Sequence, residues 1–187
     1  QKHVADTLDK TQEVIDGHKK QLEELDNLIM AVFYAMFGDP VINEKGWKRL
    51  QLSELGELKR GVSKHRPRNA PELLGGIYPL IQTGDVANSD LYIKEYSQTY
   101  SEIGLRQSKM WPKGTLCITI AANIAKTAIL GFDACFPDSV VGFWANEKTN
   151  NIFIHYWFVF FQSIIEAQAP ESAQKNINLR ILNGLQV

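Results

Sequence analysis

The chain has 187 residues and a mass of 21.2 kDa, room for one medium domain plus an extension. Its 44% hydrophobic and 22% charged residues exclude disorder as the default state. The formal net charge of -1, taken alone, argues against a nucleic-acid binder, but residues 1–39 hold four Lys against eight acids, whereas residues 40–187 hold sixteen Lys or Arg against thirteen acids, so the two parts are expected to face different partners.

Residues 1–39 read as one long amphipathic helix. With Leu8, Ile15, Leu22, Ile29 and Met36 at heptad position a, position d falls on Val4, Thr11, His18, Leu25 and Val32. The a row is apolar throughout and the d row is mostly so, a stripe that wants a partner helix. From Val4 to Phe37 such a helix runs on the order of 50 Å at about 1.5 Å per residue, too long to bury against one small domain. Leu8, Ile15, Leu22, Leu25, Ile29, Val32 and Met36 are therefore the expected helix-pairing residues. Gly17 is a blemish costing about 1 kcal/mol relative to Ala. Toward its end the apolar content thickens (Leu28, Met30, Phe33, Phe37), and the last turns are expected to pack on the following domain as well. Gly38, Asp39 and Pro40 stop the helix.

Residues 40–187 read as a separate globular domain of α+β class, a mixed β-sheet with a core helix near its C-terminus. Trp47–Leu52 is expected as a short strand, with Ser53 the N-cap of a brief turn. Lys59–Arg68, KRGVSKHRPR, follows as a loop with five Lys or Arg, one His and no acid in ten residues, kept irregular by Gly61 and Pro67. Ile77–Gln82 is a candidate strand, Thr83–Asp85 a turn, and Leu91–Tyr100 a further extended segment. Met110–Gly114 reads as a turn and Thr115–Ala121 as a buried strand. Ala122 and Asn123 open another turn, and Thr127–Phe132 and Val140–Trp144 read as strands. Ile154, Trp157, Phe158, Phe161 and Ile165 recur at helical spacing, so Phe153–Gln168 is expected as a helix with that face in the core. The polar stretch Pro170–Asn178 leads into LRILNGLQV.

Signatures of catalysis are missing. Ile124–Thr127, IAKT, imitates the end of a phosphate-binding loop, but Ala125 and Ile120 stand where glycines belong, so the amide cradle cannot form. Asp39 with Glu57-Leu58-Lys59 imitates a metal-dependent nuclease, yet Asp39 is better explained by the helix stop. His3, His18, His65 and His155 share no ligand spacing with one another or with Cys117 and Cys135, so no metal site is expected. The cysteines read as buried free thiols of a cytoplasmic protein. Ile152–Ile165 is too short to cross a membrane, contains His155 and Gln162, and no signal peptide opens the chain.

The basic segment points to chemistry of another kind. Lys59, Arg60, Lys64, Arg66 and Arg68 on a loop shaped by Gly and Pro are the parts of a phosphate clamp, because each cation near a phosphate releases a condensed counterion. Gln82, Thr83, Arg106, Gln107, Lys109, Asn123 and Lys126 fall in other predicted loops, and amide and guanidinium groups suit the bidentate patterns of base edges. These twelve residues are the candidate DNA-binding set.

The layout resembles the specificity subunit of type I restriction-modification systems. The resemblance rests on LDNLIMAVFYAMFGDP, WKRLQLSELGELKRG and IYPLIQTGDV, and most of all on SEIGLRQSKMWPKGTLCITIAANIAKTAILGFDACFPDSVVGF and SAQKNINLRILNGLQV. Where Ala125 stands the family more often has glycine, a departure that bears on the turn. The resemblance implies a non-catalytic chain providing one long helix (1–39) and one target recognition domain (40–187). It reads half of a bipartite double-stranded DNA sequence, while paired helices set the half-site spacing and dock methyltransferase subunits. S-adenosylmethionine, ATP and Mg2+ are then used by the methyltransferase and restriction subunits, not by this chain. A full subunit would have a second recognition domain and helix, so the resemblance implies either a fragment beginning at the central helix or a half-length subunit that must dimerise, and the implied partner is a second half or another copy. Two readings from other classes stand beside it: a coiled-coil interaction module whose basic loop binds an acidic protein, and an autonomous nuclease.

Overall fold

The computed structural model describes residues 2–39, 42–168 and 177–187. The chain divides into two compact units, residues 1–48 and 49–187.

In the first unit α1 (Lys2–Phe37) is one uninterrupted helix. Gly17 has open space around it and does not interrupt the helix. The expected pairing row is exposed along its whole length, from Leu8 at 63% through Leu22 at 62% to Met36 at 58%. The helix ends where Gly38 turns to φ +79 and its N–H donates to Tyr34 O at 2.8 Å, a left-handed step that glycine makes at no steric cost. Pro40, the other half of the expected stop, lies outside the described residues. Two later side chains satisfy the orphan carbonyls of the last turn: Lys45 Nζ donates to Ala35 O (2.7 Å) and Met36 O (2.8 Å), and Trp47 Nε1 to Phe37 O (2.9 Å). These contacts carry the unit to Lys48 rather than ending it at residue 39. Asp39 serves the same turn, its carboxylate accepting from Ile42 N at 3.3 Å.

The second unit opens with a correction. Trp47–Leu52 forms no strand. Leu50 exchanges backbone hydrogen bonds with Val187 at 3.1 and 2.9 Å, Gln51 bridges Gln186 and Leu52 N donates to Leu185 O at 2.9 Å, but the pairing goes no further because Leu52 already opens α2 (Leu52–Leu55). Its N-cap is Gln51 rather than Ser53, with Gln51 N donating to Glu54 Oε2 at 2.8 Å.

The strands form two mixed sheets. The larger has the order β1 (Gly56–Arg60), β9 (Val140–Ala145), β6 (Leu116–Thr119), β7 (Thr127–Leu130), β3 (Tyr92–Ile93), antiparallel except for the β3–β7 pair. The smaller has the order β4 (Gln98–Tyr100), β2 (Leu74–Leu80), β8 (Ala134–Cys135), β5 (Met110–Trp111), with β2 and β8 parallel. β2 begins three residues before the expected Ile77, and its register shifts between Leu74 and Tyr78. Two expected turns are instead short structured pieces: α3 (Thr83–Ala87), and β5 within the MWPKG segment. A further short helix, α4 (Glu102–Arg106), is capped by Ser101.

β6 is buried at every residue because both faces of the large sheet are covered. Leu116 and Ile118 join Ile129, Val141 and Phe143 against α5 (Asn151–Gln168), whereas Cys117 joins Ala128, Leu130, Val140 and Phe136 on the other face. The helix presents Ile154, Trp157, Phe158 and Phe161 to the core as expected, with Trp157 and Phe161 stacked at 4.5 Å. The side chain of Ile165 and the polar stretch 170–176 lie outside the described residues. α5 is not the last element: α6 (Leu179–Asn183), capped by Asn178, adds Leu182 to the same core.

Candidate nucleic-acid interface

The basic segment is positioned by β1 and by the β8–β9 connection. Lys59 and Arg60 are strand residues, opposite Gly142 and Val141, and not part of the loop. Beyond them the chain presses against the connection: Gly61 N donates to Val140 O (2.9 Å) and Val62 N to Phe136 O (3.1 Å). A Cβ at Gly61 would lie 2.3 Å from Pro137 O and 2.4 Å from Phe136 O, so only glycine fits this approach.

Gln107 shapes the next residues, its Oε1 accepting from Lys64 N (2.7 Å) and His65 N (3.0 Å). Ser108 Oγ donates to Val62 O at 2.8 Å. The segment Arg106–Lys109 is thereby joined to the basic loop, two parts of the candidate set that lie far apart in sequence. Arg66 Nη1 is turned onto its own loop, donating to Ser63 O and His65 O at 2.7 and 2.8 Å. Lys109 Nζ stands 4.0 Å over the Trp111 ring, which stacks on Phe136 at 4.7 Å. Lys59, Arg60, Lys64, Arg66, Arg68, Arg106 and Lys109 are all exposed.

Asp138, which lies outside the local pattern KRGVSKHRPR, organises this cluster. Its carbonyl accepts from Arg60 Nε at 2.8 Å, and its carboxylate lies 3.5 Å from Arg66 Nη2 and 2.5 Å from Arg68 Nη2. A second carboxylate, Glu57, pairs with Lys59 at 2.5 Å. No spacing in the sequence marks either pairing with Asp138, because the connection arrives through strand order. Between Lys59 and Lys109 runs a groove of about 170 Å³ lined also by Trp111 and the exposed Trp144. A larger cavity, about 550 Å³, is lined by Asp85, Asp90 and Glu95 with Lys94; that balance repels phosphate.

The rest of the candidate set lies on two other surfaces. Gln82 and Thr83 open α3, with Gln82 Nε2 donating to Gln98 Oε1 at 3.2 Å. Asn123 and Lys126 lie on the β6–β7 turn, and Lys126 Nζ donates to Gln162 of α5 at 2.9 Å. Thr119 builds that turn, its hydroxyl donating to Asn123 O and accepting from Lys126 N at 3.0 Å.

Cys117, Cys135 and His155 are titratable groups buried in the core. Cys117 and Cys135 are free and buried, and burial pushes both thiols up. Burial pushes His155 down to about 4, against the opposing effects of its hydrogen bond to Thr127 and the charge of Asp90. Its Nδ1 lies 2.9 Å from Thr127 Oγ1. Among the described residues no group of three or more His, Cys, Asp or Glu is placed to hold a metal ion, and no helix is long and apolar enough to cross a membrane.

The family model described as type I restriction modification DNA specificity domain matches residues 44–187. The chain belongs to that family. No curated protein matches the sequence. Among solved structures, a chain from a study of complex assembly and conformational transition of the type I R-M system superposes with a TM-score of 0.66 at 15% identity, covering 98% of this specificity domain chain and 44% of that one. The HsdS subunit from Thermoanaerobacter tengcongensis gives 0.63 at 15% identity, with coverages of 95% and 42%. The S subunit from M. genitalium gives 0.55 at 18% identity, with coverages of 75% and 33%. These likenesses establish a shared fold, and the specificity domain chain spans less than half the length of each of those subunits.

Proposed function

We propose that this chain is a DNA-reading half of a type I specificity subunit. Residues 49–187 contact double-stranded DNA, with Lys59, Arg60, Lys64 and Arg68 toward phosphates and the Arg106–Lys109 segment toward the adjoining groove. One observation carries the reading: within a chain of the specificity-domain family, Gln107 joins the basic loop to Arg106 and Lys109 and makes one exposed cationic surface of residues from separate segments. Gln82, Thr83, Asn123 and Lys126 belong to other surfaces and take a lesser part. The exposed row of α1 pairs with the helix of a second half or another copy, and seats methyltransferase subunits that use S-adenosylmethionine. A restriction subunit working with ATP and Mg2+ completes the assembly, while this chain performs no chemistry. The interaction-module alternative lacks a comparable observation, since the family match falls on the body rather than on the helix.

Mapping methylated adenines in the source genome, with and without this gene, tests the proposal. One split motif that disappears with the gene is the expected result. An unchanged methylation map would reject it.

A further inference from the structure

We infer that Asp138 is a specificity-determining residue: its carboxylate orients the Arg66 and Arg68 guanidiniums, so that they fit one arrangement of DNA and do not adapt to any phosphate within reach. The inference rests on the reading that the basic loop faces DNA.

Its basis is the geometry around the β8–β9 connection. Asp138 does not float as a surface acid. The residues before it bind the loop, Phe136 O accepting from Val62 N at 3.1 Å, and Val140 N closes the connection by donating to Pro137 O at 3.0 Å. Carboxylate and arginines are thus mounted on segments already fastened together. Arg68 Nη2 lies 2.5 Å from the carboxylate and Arg66 Nη2 lies 3.5 Å from it. Arg66 is held from the other side as well, through Nη1 to Ser63 O and His65 O.

The side chains of Arg66 and Arg68 are 55% and 44% exposed, and that of Asp138 is 31% exposed. Pairs as open as these are weak, so the carboxylate biases the guanidiniums without sequestering them. The hold is that of an ion pair rather than of a hydrogen bond, since Asp138 Oδ1 makes no hydrogen bond; it draws the Nη2 edge of each guanidinium toward the carboxylate and turns the remaining N–H donors outward. Once base contacts from the Arg106–Lys109 segment have set the target register, the phosphates of that DNA meet those donors as they stand. DNA bound without regard to sequence depends on phosphate attraction alone, and must pull each guanidinium off Asp138 to use it fully. An unpaired arginine cluster would make that adjustment freely and would hold all DNA more tightly.

The test uses the assembled methyltransferase complex, a duplex carrying the mapped target and a scrambled duplex, titrated over a series of salt concentrations. Asp138→Asn is expected to tighten scrambled-duplex binding roughly three- to tenfold and to steepen its salt slope by about 1. Target affinity should stay level or fall, so the specificity ratio drops. Equal tightening on both duplexes, or no change on either, overturns the inference. The effect should vanish when Arg66→Ala and Arg68→Ala are already present; its survival there would mean that Asp138 acts through overall charge, and also overturns it. The double alanine variant reports separately on the underlying reading. If it leaves affinity and slope unchanged, the loop is not at the DNA and both fall, whereas a clear double-alanine effect beside a neutral Asp138→Asn sinks this inference alone. Should the amide destabilise the body, Asp138→Glu keeps the charge and moves it by one methylene. That variant is expected to lower the ratio, and a wild-type ratio would count against the inference.

Discussion

Ala122 and Ala125 both adopt φ +60 on the β6–β7 turn, a left-handed conformation that costs a non-glycine residue roughly 1–2 kcal/mol. Their surroundings differ, and this decides what glycine would do at each. Ala122 is exposed, so Ala122→Gly loses no packing; after the greater unfolded-state freedom of glycine is allowed for, it should stabilise the body by about 0.5–1 kcal/mol in denaturant unfolding. Ala125 is 2% exposed, and losing its methyl gives up about 0.8 kcal/mol, so Ala125→Gly should be nearly neutral. Equal effects at the two positions would contradict this account. Of the two, Ala125 is thus the one whose methyl the core uses.

His155 provides a pH dependence whose sign follows from its burial. Its folded pKa, lowered to about 4, lies below the ordinary value of about 6.5, so the unfolded chain binds the extra proton first as pH falls. The stability conferred by the neutral ring is fully present above the unfolded value and is lost as pH drops toward the folded one. Between pH 6.5 and 5 the loss from this group is about 1–2 kcal/mol. His155→Gln, which can still hydrogen-bond Thr127, should flatten the unfolding free energy over that window. A variant with the wild-type slope would assign the dependence to other groups.

At the scale of elements, α1 and α5 show the same periodicity with opposite outcomes. The face of α5 is covered by β7 and β9 through Ile129, Val141 and Phe143, and its sequence is apolar nearly all round. The α1 stripe is narrower, with charged residues on either side, and stays exposed. Leu22→Asp puts a carboxylate into the centre of that stripe. It should weaken assembly with a pairing helix by more than tenfold, about 2 kcal/mol or more, while leaving the unfolding of residues 49–187 unchanged. Light scattering on the assembled complex beside the unfolding curve separates the two effects; an intact assembly would show that the stripe is not a pairing surface. The failed Trp47–Leu52 strand has an equally local cause. Leu50, Gln51 and Leu52 find only a brief extended partner in residues 185–187 before the Gln51–Glu54 capping contact turns the chain into α2.

For the whole molecule, charge divides unevenly along the sequence, with residues 1–39 acidic and residues 40–187 mildly basic. The long helix, the core helix and the buried strands were legible because periods of 3.6 and 2 are written into neighbouring residues. Both sheets' order was not, since parallel pairs such as Tyr92 with Ile129 join residues that no local pattern relates. The candidate site divides in the same way. Composition by itself picked out the cations of residues 59–68. Only the tertiary structure decided that Gln107 shapes their loop, that Asp138 compensates two of them, and that Lys126 turns toward α5, because charges pair across space and strand order brings those partners together.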